Sequence, residues 1–416
     1  MKLETLQAAE QKLLLQTYTR NPILFVSGHG VYLTDENGTD YLDLLSGIGV
    51  SALGYGHAVI ERAIATQSRQ LLHTSNLFFH ERTAELAARL VEISGLDRVF
   101  LCNSGTEAWE AALKLARAFA EKDRGNGGKL GTKFLALEHS FHGRTMGSVA
   151  TTHKEMYRAP FAPVMPSVEF VRFNDIADLR EKFSSDVCGI LIETIQGEGG
   201  IHPISQEFFQ VARQLCDSSG ALLIADEIQC GFGRTGKWFG YQQFGILPDV
   251  TTVAKPLAGG LPIGAMLCNE RAASAISPGM HGTTFGGGPL VCAVAIAVLD
   301  EIKQTNLLEH VRVVGEYFIA QLQSLQRRHD VIRDVRGLGL MIGLELESEE
   351  LAKFVATEML SKRIILNRTS EVVLRFLPPY LLERKHVDVA ISALDSILTS
   401  HAAHVSHAAA GEHAHG

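Results

Sequence analysis

Between residues 95 and 255, short apolar runs alternate with longer amphipathic stretches, the pattern of a mostly parallel sheet whose strands are joined by crossover helices. The spacing predicts strands at 98–102, 133–137, 189–194, 221–225 and 251–254, each followed at once by polar or glycine-rich residues. Open sheets of this kind collect their ligand site beyond the carboxyl ends of the strands, so these five loops are expected to be neighbours. Ahead of this block, residues 22–43 read as a small hairpin, with strands at 23–25 and 31–33 and a turn at Asn37-Gly38. After Phe285 the periodicity changes. Helices at 289–304 and 308–327, strand signals at 331–346 and 372–376, and a helix at 386–398 predict a separate α+β unit. The closing stretch 400–416, SHAAHVSHAAAGEHAHG, has no apolar face to bury and is expected to be disordered. The fold class is α/β.

A chain of 416 residues suits two domains sharing a cleft. Its net charge of −8 leaves no basic footprint, which argues against a nucleic-acid partner. The first twenty residues hold only a three-leucine apolar run, too short for a secretion signal or a membrane span, so a cytoplasmic protein without a membrane partner is expected. Six cysteines, Cys102 and Cys230 among them, form no CxxC pair and read as reduced structural thiols. The tail histidines His401, His404, His407, His413 and His415 suit loose, adventitious chelation more than a built centre, and no metal site is assigned.

Three strand ends carry the chemistry. Ser104, Gly105 and Thr106 form a tight polar turn between a strand and an amphipathic helix, where backbone N–H groups and the helix dipole favour a phosphate. Simple helix capping would also explain them. Asp226 ends the run Ala-Leu-Leu-Ile-Ala, and a carboxylate at the edge of an apolar strand needs a partner: a pyridinium N–H, or a salt bridge with Arg234. Lys255 ends the last strand before a glycine-rich loop, where burial lowers an amine's pKa and prepares it for an aldehyde cofactor. A lysine merely snorkelling from a strand end would account for neither the phosphate turn nor Asp226. No G-x-G-x-x-G opens the first crossover, which excludes a dinucleotide site there.

These motifs, Ser-Gly-Thr-Glu-Ala at 104–108, Ser-Phe-His-Gly-Arg-Thr at 140–145, Gln-Gly-Glu-Gly-Gly at 196–200, Ala-Asp-Glu-Ile-Gln at 225–229 and Ala-Lys-Pro-Leu-Ala-Gly-Gly at 254–260, resemble those of the class III aminotransferases, from Pro22 to the last helix. The resemblance implies a pyridoxal 5'-phosphate enzyme of fold type I. It implies a large cofactor domain over 61–300, a smaller domain made from 1–60 and 301–399, and the tail 400–416 outside both. By resemblance Gly105 and Thr106, with Ser104, bind the phosphate, Phe141 and Ile228 cover the two ring faces, and Asp226 holds the ring nitrogen. Gln229 faces the phenolic oxygen, and Lys255 is the Schiff-base lysine. Arg144 is implied for one substrate carboxylate and Arg375 for the α-carboxylate of 2-oxoglutarate, with Glu198 pairing Arg375 between substrates. The loop His281-Gly-Thr-Thr-Phe-Gly-Gly-Gly resembles one that reaches across a homodimer, carrying Thr284 to the partner's phosphate; on its own residues it reads as a solvated turn.

Within the family the small segment Ser46-Gly-Ile-Gly-Val resembles the branch acting on acetylated ornithine, implying transfer of its δ-amino group to 2-oxoglutarate. Succinylornithine, succinyl-diaminopimelate, ornithine and 4-aminobutyrate enzymes share the core motifs, and an aminomutase on the same scaffold or a non-catalytic metal-binding protein are further alternatives. Five positions depart from the family's commonest pattern: Trp109 for asparagine, Thr194 for proline, Gly288 for asparagine, and Tyr55 and Ala58 in the usual Gly-His-x-His-Pro. Trp109 is expected near the phosphate, where it would reshape the pocket wall.

Overall fold

Strands form where β-branched and aliphatic runs can be buried on both faces, and the helices between them show one apolar side. The computed structural model of the chain describes residues 2–412, with side chains as far as residue 403. Among those residues the largest sheet has seven strands in the order Arg98–Cys102, Gly264–Cys268, Val250–Val253, Leu222–Asp226, Val187–Glu193, Lys133–Leu137, Val168–Val171. All neighbours pair in parallel except Gly264–Cys268, which runs antiparallel to both strands beside it. The α/β expectation holds, and the five expected strands are present within one or two residues of their predicted ends. Because those five run the same way, residues 103–106, 138–144, 194–198, 227–230 and 254–255 emerge at one edge.

Local chemistry sets the helix ends. Ser205 caps Gln206–Ser219, accepting the Phe208 N–H at 3.1 Å, and Gly220 closes it at φ 85, a left-handed conformation that costs glycine little. The helix Gly105–Gly125 buries Ala108, Trp109, Ala112, Leu115 and Ala116 against the sheet and places Glu107 in its first turn and Lys122 and Arg124 in its last, matching the helix dipole. Besides a two-stranded pair, Ile195–Gln196 with His202–Pro203, two four-stranded sheets accompany the large one. Phe25–His29, Tyr32–Asp35 and Asp40–Asp43 form an antiparallel set that Ile364–Ile365 joins in parallel, so a strand from late in the chain completes one from its start. Ile332–Leu338, Met341–Leu346, Val373–Phe376 and Asn367–Thr369 make the other, antiparallel throughout.

Two expectations need correction. The Asn37-Gly38 turn is present and leads into a third strand, Asp40–Asp43, while the first strand runs Phe25–His29 rather than 23–25 and turns at Gly30, at φ 54. The segment from residue 400, expected to be disordered, continues the last helix, which runs Arg384–Glu412. Its many alanines explain this, since alanine is the best helix former and needs no apolar face to remain helical when it extends an existing helix. His401 packs against Phe354, with ring centroids 5.5 Å apart. The side chains of His404 and His407, and all of His413 and His415, lie outside the described residues. Among the described residues no group of three or more His, Cys, Asp or Glu side chains could hold a metal ion, and no helix is long and apolar enough to cross a membrane.

Candidate active site

At the common strand edge a cavity of about 300 Å³ is lined by Ser104, Gly105, Thr106, Phe141, Glu198, Asp226, Ile228, Gln229 and Lys255. Sequence reasoning had named each of these nine. Ser104 leaves its strand in extended conformation and caps the helix Gly105–Gly125, accepting the Glu107 N–H at 3.3 Å, so the capping explanation is true of its hydroxyl. The N–H groups of the first helical turn still point out of the helix end, as they must. Gly105 is needed there: a Cβ at this position would stand 2.8 Å from Ile228 Cγ2. Thr106 Oγ1 contacts Ser148 Oγ at 2.7 Å and Thr145 Oγ1 at 2.9 Å, a cluster of three hydroxyls at the anion end.

Asp226 is 4% exposed, and a carboxylate so deeply placed must be held by donors. Its Oδ1 accepts from the Ile228 N–H at 3.1 Å and from Thr252 Oγ1 at 3.3 Å, and Oδ2 takes the Nδ1–H of His142 at 2.7 Å. Arg234 is not its partner. That guanidinium is fully buried elsewhere, donating to the carbonyls of Leu340 and Pro378 and lying 4.6 Å over the ring of Tyr380. His142 and Glu193 were not anticipated. Glu193 ends its apolar strand as Asp226 does, which was a usable signal; burial pushes its carboxyl up to about 7, with the nearby His142 opposing and Asp226 adding to the rise.

Burial holds the Lys255 amine below the usual lysine range; Asp226 and Glu198 oppose this shift and Arg375 adds to it. Arg375 does not line the cavity but reaches its wall. It is 1% exposed, with Nη1 paired to Glu198 and 3.2 Å from Gln229 Oε1, and Nε donating to Asn367 Oδ1 at 3.1 Å. The Gln229 carbonyl is thereby engaged and its amide N–H2 left to donate. Burial alone would raise Glu198, but the guanidinium of Arg375 outweighs it and holds the carboxyl below its ordinary range. At 1% exposure, Arg375 is no surface ion pair.

Arg144 and Thr284 stand apart from the cavity. Arg144 is exposed, its guanidinium 3.7 Å from the centroid of Tyr157 and 5.4 Å from that of Phe141, so it borders the site through the ring it covers. Thr284 is exposed on a loop tied to the rest by Asn76, whose amide donates to the carbonyls of Thr283 and Gly286. The thiols next to the cavity are not nucleophiles: burial raises Cys102 to about 12 and Cys230 well above the ordinary cysteine value.

The departing positions have local roles. Trp109 is fully buried and is not among the cavity-lining side chains, contrary to the expectation that it shapes the wall. Thr194 Oγ1 donates to Glu227 Oε1 at 2.9 Å. Gly288 caps the helix Pro289–Gln304, and Ala58 opens the helix Ala58–Ser68 at a position proline also suits. Tyr55 donates its hydroxyl to Asp43 Oδ2 at 2.6 Å, and Asp43 Oδ1 takes the N–H groups of Leu45 and Ser46. That clamp precedes four successive residues in left-handed conformation, Ser46, Gly47, Ile48 and Gly49, at φ 48, 63, 64 and 81. A Cβ on Gly49 would lie 4.0 Å from Lys255 Cδ, so this tight turn borders the amine.

An anion cradle at a helix end, two apolar side chains, a buried carboxylate and an amine of lowered basicity are what a phosphorylated pyridine aldehyde requires. The cavity supplies all of them. A family model described as aminotransferase class-III matches residues 15–398. The acetylornithine aminotransferases of Methanocaldococcus jannaschii and Aquifex aeolicus are each 44% identical to the chain, the alignments covering 94% and 92% of it and 97% and 99% of those proteins. The crystal structure of the ornithine aminotransferase of Toxoplasma gondii ME49 superposes with a TM-score of 0.91 at 29% identity, covering 96% of both chains. The acetylornithine aminotransferase of Elizabethkingia anophelis superposes with a TM-score of 0.85 at 28% identity, covering 96% of this chain and all of that one. Another Toxoplasma ornithine aminotransferase structure holds pyridoxal phosphate at partial occupancy in its active site.

Proposed function

The chain belongs to the class III aminotransferases, and on that premise we propose that it moves the δ-amino group of N2-acetylornithine to 2-oxoglutarate, giving N-acetylglutamate 5-semialdehyde and glutamate. It is a pyridoxal 5'-phosphate enzyme. The observation that carries the reading of the site is one cavity uniting Lys255, Asp226 and the helix end at Gly105 and Thr106. The substrate rests on the relatives named above and on the small segment Ser46–Gly49 beside Lys255.

When bound, the cofactor supplies an aldehyde that condenses with an amine and a ring that takes up the electron pair left when a substrate C–H bond breaks. Everything else falls to the chain. Gly105 and Thr106 hold the phosphate, and Phe141 and Ile228 keep water from the ring. Asp226, its oxygens held in place by N–H and O–H donors, retains the proton on the ring nitrogen. Lys255 moves the substrate proton, and its lowered basicity helps it give that proton back as well as accept it. Arg144 takes the α-carboxylate of the acetylated donor. Arg375 takes that of 2-oxoglutarate, and Glu198 neutralises it while the donor is bound, since a buried guanidinium left without a partner is costly. Gln229 donates toward the phenolic oxygen. The enzyme works as a cytoplasmic homodimer in which Thr284 crosses to the partner's phosphate.

Mixing the cofactor-loaded protein with N2-acetylornithine alone tests this. The visible absorbance of the bound cofactor should bleach, return on adding 2-oxoglutarate, and respond more weakly to ornithine and N2-succinylornithine. Lys255→Ala should abolish the bleaching. Bleaching by ornithine or the succinyl compound alone would overturn the substrate, and steady turnover without any oxo acid would favour the aminomutase.

A further inference from the structure

Two buried rings meet at the wall of the cofactor cavity, His142 lining it and Trp109 behind. Trp109 and His142 stack face to face, their planes nearly parallel at 8° and their centroids 4.0 Å apart. The indole N–H donates to Thr151 Oγ1 at 2.9 Å, and the backbone N–H of His142 donates to Thr152 Oγ1 at 3.0 Å, so the same short segment secures both. His142 has one polar ring contact, Nδ1 to Asp226 at 2.7 Å; its Nε2 is buried without a partner. A carboxylate only accepts, so the ring presents its N–H at Nδ1. One hydrogen bond leaves the ring free to twist about Cβ–Cγ, and a twist would sweep its edge through the indole. The stack therefore fixes the plane that aims Nδ1–H at Asp226.

Trp109 also lies on the helix whose first residues are Gly105 and Thr106, one turn from them. It is thus a spacer from the anion end of the cavity to the carboxylate at the other. In the resembled family this position is most often asparagine, which offers no such flat face.

We infer that Trp109 is a positioning residue for the cofactor: by stacking on His142 it holds Asp226 in register with the ring nitrogen, at a distance set by the helix that binds the phosphate. The inference rests on the reading of Asp226 above but not on which amine is the substrate.

Two variants separate it from a packing role. Trp109→Phe keeps a flat face; Trp109→Leu keeps an apolar side chain and loses the face, and because both leave space in the core, thermal midpoints are measured beside the readouts below. The readouts, taken on the cofactor-loaded protein, are retention of pyridoxal phosphate on dialysis and the pH at which its visible absorbance titrates. Trp109→Phe should stay close to the parent in both. Trp109→Leu should bind the cofactor about two- to thirteenfold more weakly, the range that an aromatic pair of about 0.5–1.5 kcal/mol corresponds to, and shift the titration in the direction that Asp226→Asn shifts it. Adding Trp109→Leu to Asp226→Asn should then move the titration no further. Equal behaviour of the Phe and Leu variants, or a Leu variant that melts earlier with an unmoved titration, would overturn the inference while leaving Asp226 in its role. An unmoved titration in Asp226→Asn itself would overturn both.

Discussion

Glu227 follows Asp226 directly and does a different job. Its Oε2 accepts the Gly240 N–H at 2.7 Å, and Oε1 accepts from the Tyr241 N–H at 3.0 Å and from Thr194, while burial pushes the carboxyl up to about 7. The sign of its pH effect follows. With a folded value above the ordinary 4.5, its contribution is fully present below about 4.5 and is lost as pH rises through 7. Glu227→Gln should be less stable than the parent at pH 5, since one backbone donor would face an amide N–H2, but its deficit should shrink toward pH 8 by about 3 kcal/mol at most. Thermal midpoints of both proteins across that range check this; parallel curves would reject it. Lys255 and Asp226 were legible in the sequence because a charged group at the end of an apolar strand must be answered by something. His142 was not, since its carboxylate lies 84 positions away and nothing local marks the imidazole as paired.

The left-handed turn at Ser46–Gly49 is the most strained element beside the site. Each non-glycine residue in that conformation costs about 1–2 kcal/mol, so Ser46 and Ile48 persist only because Asp43, Tyr55 and the Ser46 hydroxyl on the Leu377 carbonyl fix the chain around them. Gly47→Ala isolates the conformational cost, because its Cβ would meet only Val50 Cβ at 3.9 Å. It should lower stability by about 1–2 kcal/mol and raise the KM for the amino donor more than it lowers kcat, as unfolding and initial-rate measurements would show. An unchanged KM would separate this turn from substrate binding. The parallel strands were legible as apolar runs ending in polar turns. The antiparallel Gly264–Cys268 was not, because Gly-Ala-Met-Leu-Cys follows a glycine-rich loop and is too short to show a period of its own. The alanine-rich end of the last helix was misread for the opposite reason: helix propensity acts without any amphipathic signal.

Over the whole molecule, apolar side chains are exposed together on two loops that Asn76 joins: Leu77, Phe78 and Phe79 on one, Met280 and Phe285 on the other. Exposed apolar side chains on adjoining loops favour an interface, and they flank Thr284 in the chain, which supports the proposed dimer. Phe79, whose side chain is fully exposed, should be central to it. Phe79→Asp should sediment as a monomer and lose pyridoxal phosphate on dialysis, whereas the parent should sediment as a dimer and retain it; a dimeric Phe79→Asp would remove this surface from the interface. The order of strands in the large sheet has a consequence of another kind. Arg98–Cys102, the strand that carries the phosphate turn, touches the sheet only through Gly264–Cys268. On a ribosome adding about 5–20 residues each second, the partner strand leaves the tunnel roughly 10–30 s after it. For that interval the growing chain holds an apolar strand without its neighbour, a segment open to a holding chaperone.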